Sequence, residues 1–235
     1  MKKRFEIGTL FRDAWRDYKA NWTMFIVIGI IFILVSILGN LGTSFDSVTG
    51  VIEQSTIVAI LGWLLQVFIA LGFIRFLLNI VDGKEYKIED LFRGARSIEH
   101  FAFFIVVVML YTAFIGLGTV LLVIPGIIAL VGFIFAQYLI AEEKAGIFES
   151  FKESWKMTAG NRWKIFWLMI VLLFFNVFGL LVLVIGLFIT VPMTYLMYAH
   201  LYRKLSLEGT VDSEESDMEV IEVVEGDQSE DESGE

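Results

Sequence analysis

The side chains that could do acid–base or metal chemistry are few in this sequence. It has two histidines, His100 and His200, and no cysteine, which excludes thiolate ligands and a cysteine nucleophile. Neither histidine has partners at the spacing of a metal site, and the carboxylates Glu99, Glu142 and Glu143 share no catalytic spacing with them. No Ser-His-acid arrangement or glycine-rich phosphate loop is present. The sequence therefore predicts a protein that is not an enzyme and holds no metal or other cofactor.

The composition is typical of an integral membrane protein. Hydrophobic residues make up 57% of the 235 residues, against about 45–50% in soluble domains. Several apolar runs reach the roughly 20 residues that cross a bilayer. The charge is divided, because residues 207–235 carry 13 of the 27 acidic residues and no Lys or Arg. A basic body is thus followed by an acidic tail.

Six apolar runs are predicted to span the membrane as helices. They cover about residues 22–41, 56–81, 101–124, 125–141, 163–183 and 186–202. Pro125 and Gly126 are expected to form a tight turn between the third and fourth spans. Pro192 is expected to kink the sixth, because proline removes a helical hydrogen bond and clashes with the preceding turn.

The basic residues predict how the spans are oriented. Of the 18 Lys and Arg, 17 lie before span one, between spans two and three, between spans four and five, or after span six. The intervening loops on the other side contain none. By the positive-inside rule both termini are cytoplasmic.

A short pattern occurs three times, each time before an apolar run. It reads IGTLFRDAW from Ile7, IEDLFRGAR from Ile88 and IFESFKESW from Ile147. Each copy places its apolar residues on one helical face, which favours a helix lying in the cytoplasmic interface. The predicted fold is an all-α integral membrane protein with six transmembrane helices. These form three quasi-repeated units, about 5–81, 88–141 and 147–205, each an interfacial amphipathic helix plus a helical hairpin.

Arg75 is the one charged residue more than one turn inside a predicted span. Its guanidinium either snorkels to lipid phosphates or binds an anionic head group inside the bundle. Candidate ligands for a lipid head group are Arg75, Arg12, Arg93 and Lys152. Candidate polar contacts within the membrane are Gln66, Asn79, Gln137 and Asn176.

The acidic tail, residues 207–235, lacks the apolar content to fold alone and is predicted to be disordered in the cytoplasm. Two roles remain open for it. It either keeps the protein soluble on that side or docks a protein partner.

Three stretches carry a resemblance to known proteins: IPGII at 124–128, FAQYLIAE at 135–142 and ESFKESW at 149–155. They resemble a group of poorly characterised prokaryotic polytopic membrane proteins. That group is similar to the membrane domain attached to some glycerophosphodiester phosphodiesterases. The resemblance covers about residues 5–205 and implies a six-helix protein of the cytoplasmic (inner) membrane of a prokaryote. The catalytic barrel of those phosphodiesterases is absent, so no catalytic residue is carried over.

The favoured function is a non-enzymatic membrane protein that binds or helps to move lipid or another amphipathic solute. Membrane lipids are the expected partners rather than nucleic acid, because the basic helices lie beside apolar spans. The alternative is a structural or accessory subunit of a membrane complex that docks through the acidic tail. An ion-coupled transporter is disfavoured, since no Asp or Glu lies deep in a span.

Overall fold

A computed structural model describes residues 5–40, 44–45, 52–53, 55–121, 123–182 and 186–207, and these ranges are almost entirely helical. The helices are α1 (Ile7–Gly39), α2 (Thr56–Val81), α3 (Ile98–Leu121), α4 (Val123–Gly132), α5 (Ala136–Ala141), α6 (Ile147–Thr158), α7 (Arg162–Leu181) and α8 (187–207). A 3-10 helix covers Ile88–Arg93. Strands β1 (Ser44–Phe45) and β2 (Ile52–Glu53) form a short antiparallel pair. The predicted tail, from residue 208 onward, lies outside the described residues.

Five segments are long and apolar enough to cross a membrane, which confirms the predicted class of multi-pass membrane protein. They are Ile7–Gly39, Thr56–Val81, Ile98–Val120, Val123–Ala141 and Arg162–Leu181. The sixth predicted span is helical as α8 but is not among these five. The count of six spans therefore stays a prediction.

Helix α8 contacts α1, α2, α5 and α7. The Tyr18 hydroxyl of α1 donates to the Phe188 carbonyl, and the Asn176 amide of α7 donates to Thr194 Oγ1 at 2.8 Å. Fully buried side chains of α8 are Met193, Leu196, Met197, Ala199, Leu201, Tyr202 and Leu205. A helix covered by other helices needs less apolar surface than one that faces lipid, which explains the polar residues of α8.

Pro192 lies within α8, which continues through it as one helix. Proline has no N–H, so the carbonyl of Phe188, four residues earlier, loses its usual helical donor. That carbonyl accepts the hydrogen bond from Tyr18, at 3.3 Å. A neighbouring helix thus satisfies the backbone group that the proline leaves free, as membrane helices require.

The predicted turn at Pro125 and Gly126 is wrong, because both residues lie inside α4. Helix α3 ends at Leu121 and α4 begins at Val123. Pro125 is in the first turn of α4, where a helix has no N–H bond to lose. Gly126 allows α3 and α4 to touch, since a side chain there would overlap Thr119 of α3.

Close glycine contacts occur at three places, two between helices and one between α7 and the turn before α8. The pairs are Gly39 with Gly62, Gly118 with Gly126, and Gly179 with Gly186. A Cβ atom on Gly118 would lie 2.8 Å from the Gly126 Cα, too near for any larger residue. Small residues that let backbones approach are the usual device of helix packing in membranes.

The three copies of the repeated pattern fold differently, which corrects the prediction of three interfacial helices. The first copy is part of α1, which runs unbroken from Ile7 to Gly39. The second is the 3-10 helix Ile88–Arg93, and only the third is a separate α-helix, α6. The buried face of α6 lies against protein, since its Phe151 ring contacts Phe114 and Phe133 at centroid distances of 5.5 and 5.2 Å.

The fourth apolar segment is broken between Gly132, the end of α4, and Ala136, the start of α5. Ser154 of α6 reaches into this break. Its Oγ accepts the Phe135 N–H at 3.1 Å and donates to the Gly132 carbonyl at 2.9 Å. These two backbone groups are therefore hydrogen-bonded despite the break, because a side chain of another helix replaces their missing helical partners.

Candidate functional site

A cavity of about 510 Å³ lies between α1, α2, α5 and α8. Five of its fourteen lining residues are aromatic: Phe25, Phe32, Phe73, Phe188 and Tyr195. The volume falls in the range of roughly 300–1,000 Å³ typical of small-molecule sites. The predominance of apolar walls suits a ligand with a hydrocarbon part.

Small residues on two helices leave room for this cavity. Gly29 of α1 and Ala70 of α2 both line it. A Cβ on Gly29 would come within 3.0 Å of the Phe188 ring, so a larger side chain there would displace the ring or fill the space. Protein interiors are normally close-packed. The cavity therefore exists because the side chains at these two positions are too small to fill the space between the helices.

A second cavity of about 240 Å³ adjoins the first and shares Phe32, Ala70 and Gln137 with it. Gln66 lines this smaller cavity as well. The structure therefore brings together two of the predicted intramembrane polar residues, Gln66 and Gln137, at one place in the bundle.

Gln137 is the polar side chain that faces both cavities. It lies in α5, directly after the helix break, and is half-buried. Within the described part of the chain its side-chain amide has no hydrogen-bond partner. The Asn176 NH₂ donates to Thr194 and to the Leu172 carbonyl, and although its Oδ1 lacks a partner, Asn176 lines neither cavity. An amide left unpaired in apolar surroundings costs about 1–3 kcal/mol. Gln137 is therefore a group that a ligand could satisfy.

Tyrosine hydroxyls lie beside the cavity and were missed by the sequence analysis. Tyr195 lines the cavity wall, and Tyr138, the residue after Gln137, is buried in the bundle. The signal that could have found them is the spacing of Tyr195 and Tyr198, one turn apart on α8. These hydroxyls give the interior of the bundle an uncharged polar region.

Arg75 is held inside the protein by a partner that neither sequence interpretation included. Its Nε donates to the Ala141 carbonyl at 2.6 Å, and its terminal nitrogen pairs with Glu143 at 2.9 Å. Glu143 also contacts Arg96 at 3.2 Å and His100 at 3.4 Å. The guanidinium therefore links α2 to the end of α5. None of these contacts tests the predicted role of Arg75 as a ligand for a lipid head group, and that role stays a prediction.

Glu143 has an unusual backbone conformation, with φ at 58°. The end of α2 has the same geometry at Gly83, with φ at 65°. In both places the following lysine N–H, from Lys84 or Lys144, returns to a carbonyl five residues earlier. The left-handed region costs a residue other than glycine about 1–2 kcal/mol, so the ion pairs of Glu143 offset strain in its own backbone.

A second ionic cluster joins α2, α5 and α8 at the same end of the bundle. Arg203 makes two bonds to Asp82, at 2.6 and 2.7 Å, and one to Glu142 at 2.6 Å. Glu142 also accepts from the Tyr202 hydroxyl at 2.6 Å and from Lys144 at 3.0 Å. Burial raises the pKa of Glu142, but these hydrogen bonds outweigh it, and the pKa lies below its ordinary value of 4.5.

The remaining predicted residues lie away from the cavity lining. Arg12, Arg93 and Lys152 are exposed and are not brought together with the cavity. Asn79 is half-buried in the last turns of α2, where its carbonyl accepts the Lys84 N–H at 2.9 Å.

Both histidines make contacts between helices. His200 pairs with Asp17 at 2.9 Å and so joins α8 to α1, and His100 Nε2 contacts the Ile140 carbonyl at 2.8 Å. Among the described residues no group of three or more His, Cys, Asp or Glu is arranged to hold a metal ion.

The apolar helices and the uncharged cavity between them define a multi-pass α-helical membrane protein. Residues 47–206 match the model of the uncharacterised protein family UPF0259, and the chain belongs to this family. Comparisons with curated proteins and with solved structures gave no match. Membership in an uncharacterised membrane-protein family is thus confirmed, and the similarity to the phosphodiesterase membrane domain stays a prediction.

Proposed function

We propose that this protein is a non-enzymatic membrane protein that binds a lipid or another amphipathic molecule in the cavity between α1, α2, α5 and α8. The observation that carries the proposal is the cavity itself, which combines apolar walls with the unpaired amide of Gln137. Sites that bind small molecules typically have this composition, with many apolar groups and a few polar ones.

The position of the cavity mouth supports access from the bilayer. Ile33 of α1 and Val191 of α8 line the cavity and are also exposed, at 49% and 38%. Both belong to the apolar outer surface of the bundle, so a chain can pass between α1 and α8 without crossing water. Lipid tails are as apolar as these walls, and selective binding must therefore come from shape and from the polar group.

The proposed topology has six spans in three quasi-repeated units, with both termini in the cytoplasm of a prokaryote and the inner membrane as its location. Two features support it. His200 of α8 contacts Asp17 of α1, and Arg203 of α8 pairs with Asp82 and Glu142 at the ends of α2 and α5, so polar groups of four helices meet near one end of α8, as expected for one membrane face. The three glycine contacts join α1 to α2, α3 to α4, and α7 to the chain leading into α8.

The alternative is an accessory subunit that docks a protein partner through the acidic tail. The tail lies outside the described residues, and no contact of the described residues favours this function over the first.

The proposal is tested by native mass spectrometry of protein purified from its membranes in a mild detergent. Ala70→Phe fills the cavity, and Ala102→Phe places the same side chain on the exposed face of α3. We expect the wild type and Ala102→Phe to retain the same lipid adducts. In Ala70→Phe the fraction of protein that carries these adducts should be at least fivefold lower. Equal adducts in all three proteins would contradict binding in this cavity.

A further inference from the structure

We infer that the occupant of the cavity has one apolar chain and an uncharged hydrogen-bonding head group, and that Gln137 binds this head group. The inference rests on the proposed function and adds to it the chemical class of the ligand. It is carried by the charges, the hydrogen bonds and the dimensions of the cavity.

The lining of the cavity disfavours a charged head group, since it contains no Asp, Glu, Lys, Arg or His among the described residues. The nearest charges on α2 and α8, Arg75 and Arg203, are already neutralised by Glu143, Asp82 and Glu142. A charged head would enter apolar surroundings without a counter-ion, which is strongly unfavourable. Anionic phospholipids therefore do not match this site.

The polar groups of the cavity suit a hydroxyl, ester or amide. The side chain of Gln137 offers both a carbonyl acceptor and an NH₂ donor, and both are without a partner among the described residues. Tyr195 adds a hydroxyl to the same cavity. A neutral head that donates one hydrogen bond and accepts another would satisfy Gln137, whereas a saturated chain alone would leave the amide unpaired.

The dimensions of the cavity indicate a single chain. Its lining on α1 extends from Phe25 to Ile33 and on α8 from Leu187 to Tyr195. At 1.5 Å per residue each stretch is about 12 Å long, slightly less than half of the roughly 30 Å hydrocarbon core. The space therefore fits one chain lying within one leaflet.

The polar end of the cavity faces the charged end of the bundle. Gln137 lies about one turn before Ala141, the last residue of α5, and Tyr195 lies about two turns before Arg203. A ligand with its head at Gln137 and its chain toward Ile33 would have the same orientation as the lipids around it.

The test uses three probes that share a lauroyl chain and differ in head charge: monolauroylglycerol, laurate and lauroylcholine. Each is added to delipidated wild type and to two variants, and the bound fraction is measured by native mass spectrometry. Gln137→Leu removes the amide at nearly constant volume. Asn79→Leu is the matched control, because it removes an amide of α2 that lines neither cavity.

We expect wild type and Asn79→Leu to bind monolauroylglycerol about tenfold better than either charged probe. In Gln137→Leu this preference should fall to twofold or less. A preference that survives in Gln137→Leu, or a wild type that prefers laurate or lauroylcholine, would overturn the inference while leaving the proposed function intact. If no probe binds the wild type and Ala70→Phe leaves the native lipid adducts unchanged, both this inference and the proposed function are wrong.

Discussion

The hydroxyl of Ser154 should contribute more to the stability of this protein than the hydroxyl of Ser150, the other serine of α6. It is fully buried and makes two hydrogen bonds to the broken segment between α4 and α5. Ser154→Ala removes both at once. The Phe135 N–H would then be buried without an acceptor, while the Gly132 carbonyl would keep the weaker bond from Thr158, at 3.4 Å.

The expected loss follows from these contacts. A buried donor without a partner costs about 1–3 kcal/mol, and the partly replaced bond to Gly132 adds roughly 0.5–1.5 kcal/mol. We therefore expect the free energy of unfolding of Ser154→Ala to fall by about 3 kcal/mol. For a chain of this size that corresponds to a melting temperature lower by roughly 6–12 °C.

The control is Ser150→Ala on the same helix. Ser150 is equally buried, but its hydroxyl donates to the Ile147 carbonyl, at 2.7 Å, within its own helix. Its replacement should cost about 1 kcal/mol or less, since no backbone group of the break depends on it. Thermal unfolding followed by circular dichroism in one detergent compares the three proteins. Melting temperatures of the two variants within 2 °C of each other would refute the role assigned to Ser154.

Two further predictions concern backbone contact and acid stability. Gly72→Ala should lower the melting temperature by several degrees, because its methyl group would overlap the Leu91 backbone, whereas Gly116→Ala should be neutral, since nothing lies near it. Equal effects in the same assay would contradict that contact. The pKa of Glu142 is lowered, so its bonds stabilise the fold above about pH 4.5 and are lost below. Glu142→Gln should therefore melt lower than the wild type at pH 7, and this difference should shrink as the pH falls below 4.5. A difference that stays constant down to pH 3 would show that its charge, and with it the bond to Arg203, contributes little.

Much of the helical architecture is predictable from hydrophobic runs alone. The second predicted span, 56–81, coincides with α2, and the fifth, 163–183, differs from α7 by one or two residues at each end. Local pattern is sufficient there because a lipid-facing helix must be apolar along its length. It is insufficient for α8, whose polar residues are explained by its contacts with other helices.

The errors occur where distant residues decide the local structure. Nothing in Phe133-Ile134-Phe135 marks a helix break, and the groups that stabilise it come from Ser154 and Thr158 on α6. The sequence shows that Arg75 lies within an apolar run, but its partner Glu143 lies 68 residues away along the chain. Gln137 was a predicted polar contact, yet its unpaired state depends on how α1 and α8 pack around it, which no spacing reveals.

The location of the charged residues also determines how the protein responds to the membrane potential. Asp, Glu, Lys and Arg are all absent from four long segments, 20–45, 54–74, 101–141 and 165–199. The voltage drop across the bilayer therefore acts on no charged side chain in these segments. Moving one elementary charge through 100 mV is worth about 2.3 kcal/mol. Arg75 is paired with Glu143, and the two would move as a neutral unit. Opening the cavity between α1 and α8 should therefore proceed equally in energised and de-energised membranes.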